Sequence, residues 1–313
     1  MIQLKISGRA GNQFFQYAEV INYMKKNNIN EDIYISFEHL NKHKTDNNTF
    51  VNVLNDFKVK EFKIINKIKM TPKQKIIDFI YKVLYKIVII KAKMKRTKLQ
   101  RKDYIFIKNV MQKLLNKNGL YYYIPEMEDF YPSKSKNIIF YGSFENNSFF
   151  EENKNAILNM YEPKLDELSQ NKEMYKIIRN TESVCVTIRR GDFLNPQFID
   201  NYYICNNYYF EQAIKKMNDL IEKPQYIVFS DDVEWCKKNM KFPEETIFET
   251  EGNPIWEKIR LMYSCKHFII SNSTFSWWAQ YLSRNTNKIV IAPKVWNKFE
   301  YMDLIYDKKW ILI

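Results

Sequence analysis

At 313 residues, 45% of them hydrophobic, the chain is long enough for two packed cores and too apolar for a disordered tail. The four cysteines show no pairing rhythm, and the three histidines (His39, His43, His267) make no Cys/His cluster with zinc spacing, which excludes a disulfide framework and a structural zinc site. Net charge is +13, but fourteen lysines and two arginines against Glu61 and Asp78 crowd into Lys58–Lys102, so the remainder is close to neutral.

Ile2–Ser7 alternates apolar and polar residues and reads as a half-buried strand. The loop G-R-A-G-N-Q, Gly8 to Gln13, follows it. Phe14, Tyr17, Ala18, Ile21 and Met24 then share one helical face. This is a βα unit whose loop meets a helix N-terminus, but G-x-x-G lacks the third glycine and the Lys-Ser/Thr of a P-loop. The Asn12 and Gln13 amides both donate and accept, which suits sugar hydroxyls better than phosphates. Helix capping by Asn12 is the competing reading. Met1 leads straight into the first strand and no run of ~18 apolar residues exists, so a cytoplasmic protein without a transmembrane helix is expected.

Ile33–Phe37 reads as a second strand and Asn41–Thr49 as polar loop. Within the basic segment, Ile76, Ile80, Val83, Leu84, Ile87 and Val88 recur at helical spacing, with Lys82, Lys86 and Lys93 on the other side. This basic amphipathic helix has three readings: a first-domain helix with a solvated face, a peripheral contact with an anionic membrane, or a nucleic-acid site. Phe79, Tyr81 and Tyr85 follow packing positions and make no stacking platform, so no nucleic-acid partner is expected. Gly119–Tyr131 reads as an irregular aromatic-rich run, Asn137–Tyr141 as a strand and Phe149–Met160 as a helix. Pro163 interrupts the chain at Tyr161–Leu168, which sets the expected domains at 1–162 and 163–313.

The second half alternates β and α. Strand Val184–Ile188 runs into Arg189, Arg190, Gly191 and Asp192. Guanidinium forks at the carboxyl end of a strand suit phosphate oxygens; a surface loop whose arginines pair with Asp192 and a neighbour is the alternative. Strand Tyr226–Phe229 ends in Ser230, Asp231 and Asp232. These carboxylates can accept from ribose hydroxyls or a base edge, or cap the next helix. Helices Tyr208–Leu220, Pro254–Tyr263 and Phe275–Leu282, with strands Thr246–Phe248, His267–Ile270 and Lys288–Ala292, complete the pattern of a parallel sheet covered on both faces. Ser273, Thr274, Phe275 and Ser276 open a helix, where free N–H groups and the dipole favour phosphate. The three polar strand ends are expected on one sheet edge as a diphosphate site, with no metal and with arginine in the place of a divalent ion.

Four stretches occur in order: G-R-A-G-N-Q-F-F-Q-Y-A from Gly8, I-R-R-G-D-F from Ile188, F-S-D-D-V-E-W-C from Phe229 and S-N-S-T-F-S-W-W from Ser271. Together they resemble glycosyltransferase family 11, whose characterised bacterial members are mostly α1,2-fucosyltransferases. Residues 50–135 carry little of the resemblance. It implies an α/β fold of GT-B type, two Rossmann-like domains with a cleft between them. It also implies an inverting, metal-independent transferase without a cofactor, using GDP-fucose as co-substrate and a galactoside-containing glycan as acceptor in surface glycan synthesis. By the same resemblance, Arg189 and Arg190 bind the diphosphate and stabilise it as leaving group, and Asp192 supports their loop. Ser273, Thr274, Phe275 and Ser276 line the phosphates and nucleoside, and Asp231 faces the nucleotide. Arg9, Asn12 and Gln13 approach fucose or acceptor, which places Asn12 with Arg189 and Asp192 among the catalytic candidates. The chain departs from the family pattern twice. Thr187 stands where the middle motif has histidine, and it can keep a hydrogen bond but cannot carry a proton, so the same fold with another nucleotide-sugar donor is the alternative. Trp256–Met262 replaces an Asp-Leu-Trp-Leu-Met type run, which leaves Glu257 as the candidate acid for the base.

Overall fold

The structure, a computed structural model, describes residues 1–42, 51–94, 99–250, 252–298 and 303–313. Most of the polar loop expected at Asn41–Thr49 lies outside the described residues. The chain forms two units: Met1–Asn55, Val59–Met160 and Phe299–Tyr306 in the first, Asp56–Lys58, Tyr161–Lys298 and Asp307–Ile313 in the second. The division is therefore not one cut at 162/163. Asp56–Lys58 goes with the second unit because Phe57 bridges Pro163, and the Lys58 and Lys164 amides donate to the Glu162 and Asp56 carbonyls at 3.0 and 2.8 Å.

In the first unit, β1 (Ile2–Lys5), β2 (Ile33–Ser36), β3 (Phe62–Ile64), β4 (Leu120–Tyr122) and β5 (Ile138–Tyr141) form a parallel sheet in the order β3-β2-β1-β5-β4. Its helices are α1 (Ala10–Lys26), α2 (Glu38–Lys42), α3 (Pro72–Met94), α4 (Arg101–Lys117) and α5 (Lys154–Met160). Central β1 is covered on both faces, so even its polar residue Gln3 is buried, with its amide donating to the Lys69 carbonyl and Asn137 Oδ1. Strand β4 falls inside the stretch read as irregular. All three of its side chains are buried, so no alternation marks it in the sequence. The helix expected over Phe149–Met160 is two pieces: a 3₁₀ turn at Asn147–Phe150 under an Asn146 cap, then α5.

Helix α3 splits the expected apolar set, of which Val88 is buried and Leu84 half-buried. Ile76, Ile80, Val83 and Ile87 are exposed, whereas Gln74, Ile77, Asp78, Val88 and Ala92 face inward. Buried polar bonds fix this orientation. The Gln74 amide donates to the Asn118 and Asn137 carbonyls at 2.9 and 2.8 Å, and Asp78 accepts from the Tyr122 hydroxyl at 2.8 Å.

In the second unit, β6 (Glu182–Ile188), β7 (Pro224–Ser230), β8 (Ile247–Phe248), β9 (His267–Ile269), β10 (Val290–Ala292) and β11 (Ile311–Leu312) form a parallel sheet in the order β11-β10-β9-β6-β7-β8. That is the doubly wound nucleotide-binding order, with its switch point between β6 and β9. The connecting helices are α6 (Lys172–Asn180), α7 (Ile199–Tyr202), α8 (Asn207–Leu220), α9 (Val233–Asn239), α10 (Ile255–Ser264) and α11 (Thr274–Leu282). Tyr209, Phe210, Ala213, Ile214 and Met217 of α8 join Val184, Val186 and Val228 in one core. All four cysteines are unpaired and buried; burial pushes the Cys205 thiol up to about 12 and raises Cys185 well above the usual range.

Candidate active site

The register of the two longest strands builds the site. Strands β6 and β7 pair in parallel from Glu182↔Pro224 to Ile188↔Ser230. One step further, Arg189 stands beside Asp231, and one more brings Arg190 beside Asp232. Arg189 Nη1 lies 2.6 Å from Asp231 Oδ2, and its Nη2 lies 2.5 Å from Asp192 Oδ1. Arg190 Nε donates to Asp232 Oδ2 at 3.2 Å, and its backbone N–H donates to Asp231 Oδ1 at 2.9 Å. Asp231 thus gathers the loop. Gly191 closes against it, since a Cβ there would come within 2.5 Å of Asp231 Oδ2.

The two arginines part ways at this point. Arg190 is 8% exposed, and its guanidinium carbon lies 3.1 Å from the Trp235 ring centroid. It is sealed by a carboxylate and an indole and acts as a structural clamp. The Arg189 side chain stays 25% exposed, 5.8 Å from the Phe193 ring centroid. At that exposure its ion pairs orient the fork more than they stabilise the fold, each contributing ~1 kcal/mol at most. The fork is therefore a preset cation whose carboxylate partners can be exchanged for phosphate oxygens. The paired-arginine reading and the anion reading meet in one loop.

Across the switch point, the loop after β9 is held from three sides. Thr187 Oγ1 accepts from the Ser271 amide at 3.1 Å, and the Tyr209 hydroxyl donates to the Ile270 carbonyl at 2.7 Å. Asn272 Nδ2 donates to the Tyr202 and Trp296 carbonyls at 3.0 and 2.8 Å. Tyr202 stacks on Phe193 at 5.2 Å between centroids, so one chain of contacts joins Arg189 to this loop. The amides of Thr274, Phe275 and Ser276 precede the first intrahelical bond of α11, from Trp277 to Ser273. Ser273, Thr274 and Phe275 are partly exposed, while Ser276 is buried with its hydroxyl 3.1 Å from that of Ser271.

Several expected roles change. Asp231 brackets the arginine loop, because both its oxygens are engaged there. Asp232 caps α9 through the Trp235 amide at 3.3 Å, as the capping alternative has it, and also holds Arg190. Glu257 is fully buried; its carboxylate accepts from the Leu168 amide and Asn171 at 3.1 and 2.8 Å and faces Arg260, so it is a structural bracket and not an acid for a base. In the first unit, Gln13 is also fully buried. Its amide donates to the Gly8 and Val51 carbonyls and accepts from the Val53 amide, which removes it from sugar contact. Arg9 occupies the N-cap of α1, and Asn12 lies inside the first turn, so Asn12 is not the cap. Gly8 has φ +75°, and a Cβ there would lie 2.9 Å from the Asn12 side chain. Arg9 and Asn12 remain partly exposed. Sequence reasoning missed Trp235 and Phe193. The quoted motifs contain both, but only the fold shows that they stack on the arginines.

The sequence matches Glycosyl transferase family 11 over residues 1–313. An alpha-1,2-colitosyltransferase of Escherichia coli is 33% identical over 187 residues, covering 58% of this chain and 64% of the relative. A galactoside alpha-(1,2)-fucosyltransferase 1 of Plecturocebus brunneus is 32% identical over 105 residues, 32% of this chain and 28% of that one. The match thus spans less than two thirds of either relative's length. Among solved structures, the NodZ alpha-1,6-fucosyltransferase co-crystallized with GDP superposes with a TM-score of 0.50 at 10% identity, over 89% of this chain and 91% of that one. That likeness speaks for the fold alone, a GT-B type pair of parallel-sheet α/β domains. With its whole length matched, the chain belongs to glycosyltransferase family 11.

Proposed function

We propose that the protein moves L-fucose from GDP-fucose to the 2-hydroxyl of a galactoside in surface glycan synthesis, with inversion at the anomeric carbon and without a metal ion. The observation that carries this reading is Arg189: a preset, partly exposed guanidinium at the carboxyl end of β6, beside the switch point of a nucleotide-binding sheet. The 1,2-linkage follows both relatives' names, and the galactoside acceptor follows that of the fucosyltransferase. As the bond from C1 to the phosphate oxygen breaks, its electron pair stays on the β-phosphate, and Arg189 offsets the growing charge. The helix N-terminus of α11 adds its dipole from the other side of the switch point. The acceptor hydroxyl attacks the opposite face of C1, and its proton passes to solvent water as the new C1–O bond forms. Asp192 and Asp231 hold the fork in place, and a phosphate oxygen replaces one of them when the donor binds.

A second reading has colitose as the sugar, because the colitosyltransferase covers more of this chain than the fucosyltransferase does. Transfer assays with GDP-fucose, GDP-colitose, GDP-mannose and UDP-galactose against a galactoside panel, with product linkage read by NMR, test both. The expected result is an α1,2-fucosylated product. A strong preference for GDP-colitose would install the second reading, and turnover with UDP-galactose alone would overturn both.

A further inference from the structure

We propose that the outward face of α3 and α4 docks on an anionic membrane surface. At about 100° per residue, Ile76, Phe79, Ile80, Val83, Ile87 and Ile90 fall in one stripe along α3. They are exposed between 40% (Val83) and 67% (Phe79). On α4, which packs beside α3, Phe106, Val110 and Leu114 are exposed at 51, 49 and 41%. Scattered exposed apolar residues are ordinary, but exposed apolar stripes along two helices that pack against each other mark an interaction surface. The face is not misplaced core. The polar bonds of Gln74 and Asp78, and the edge contact of Tyr81 on Tyr122 at 5.2 Å, commit the opposite side of α3 to the protein.

The flanks name the partner. Lys75, Lys86 and Lys93 run along one border of the stripe, where Lys82 is held back by Asp78 at 2.7 Å, and Lys73 and Lys91 along the other. Their aliphatic stems can lie on the apolar face while the ammonium groups reach past it. On the first border, Lys75 and Lys82 also line a cavity of about 290 Å3 with Lys5 and Lys67, where Glu38 and Asp78 are the acidic members. A second copy of the chain would bring rows of like charge together across a two-fold interface. Nucleic acid would take the lysines and leave the stripe in water. An anionic leaflet takes both, with acyl chains on the stripe and headgroups on the lysines. Among the described residues no helix is long and apolar enough to cross a membrane, so α3 would lie in the plane of the interface.

The test is co-sedimentation of the full chain with phosphatidylcholine vesicles, with and without about a third phosphatidylglycerol, over a salt series. Binding is expected only to the anionic vesicles, weakening as salt rises. The Phe79→Asp/Ile87→Asp variant should lose at least tenfold in partitioning. Each of Lys86→Gln and Lys93→Gln should lose about fivefold. Both altered faces point away from the core, and the wild-type comparison of the two vesicle types needs no variant. Absent binding, equal binding to both vesicle types, or full binding by the double aspartate variant would overturn the proposal. So would a solution dimer that this variant dissolves while the wild type ignores vesicles, or RNA capture in place of vesicle capture.

Discussion

The turns after β1 and after β6 hold the same topological place, each following the central strand of a parallel sheet and leading towards a helix, yet they use it in opposite ways. The first turn carries a single arginine, Arg9, with no acidic residue beside it in the turn, and spends its Gln13 amide inward. Gln13 is consumed by Gly8, Val51 and Val53, and only Arg9 and Asn12 keep some exposure. The second turn is charged and holds one guanidinium outward, because two aspartates of the neighbouring strand end meet its arginines in register. Fold position nominates a site. The residues just past the last paired rung decide whether it carries chemistry.

The sharpest way to break this contrast is Arg189→Ala. It should lower kcat/KM by about 10²–10³-fold, the scale of losing one charged group at a developing anion. Near wild-type turnover would remove the site from the mechanism. Next comes Gly191→Ala, whose Cβ would press on Asp231 Oδ2, a carboxylate already held by two donors. A loss on the order of tenfold in kcat/KM is expected, from ~1–3 kcal/mol of overpacking, with far-UV circular dichroism unchanged.

A matched pair sharpens the comparison. Thr187→Val and Gln13→Leu each leave a buried backbone group without its partner and should each cost about 1–3 kcal/mol in urea unfolding. Only Thr187→Val should also raise the donor KM, because it loosens the loop that opens α11. Equal KM effects in both variants would erase the distinction between the two turns. The smallest effect belongs to Glu19 in α1. Burial raises its carboxyl well above the ordinary 4.5, with Asn22 and Lys26 opposing. The folded state then holds its proton more tightly than the unfolded state, so Glu19 costs stability progressively as pH rises above 4.5. Glu19→Gln should therefore raise Tm at pH 8 and leave it nearly unchanged at pH 4, as calorimetry would show.

Much of the second unit was legible because its strands are short apolar runs ended by charged or hydroxyl groups: Val184–Ile188 before Arg189, and Tyr226–Phe229 before Ser230. The partners of those groups were not legible, since Arg189 meets Asp231 only through a register that spans 42 positions. The fate of Gln13 likewise depends on Val51 and Val53, brought back by the fold from far along the chain. For α3, the sequence shows a helix with an apolar side but not which side meets the protein. Gln74 and Asp78 decided that through contacts with residues beyond position 117. Asp231, Glu257 and Gln13, expected at the substrate, are held instead by Arg189, by Leu168 and Asn171, and by Val51 and Val53.

The sealed thiols give the protein a quiet chemical background. Cys185, Cys205, Cys236 and Cys265 are all buried, and burial holds Cys185 and Cys205 in the unreactive thiol form at neutral pH. A single cysteine introduced on the surface, such as Val83→Cys on α3, would then be the one position that a maleimide dye labels in the native protein. An environment-sensitive fluorophore there would report, by its colour alone, whether that face meets water or lipid.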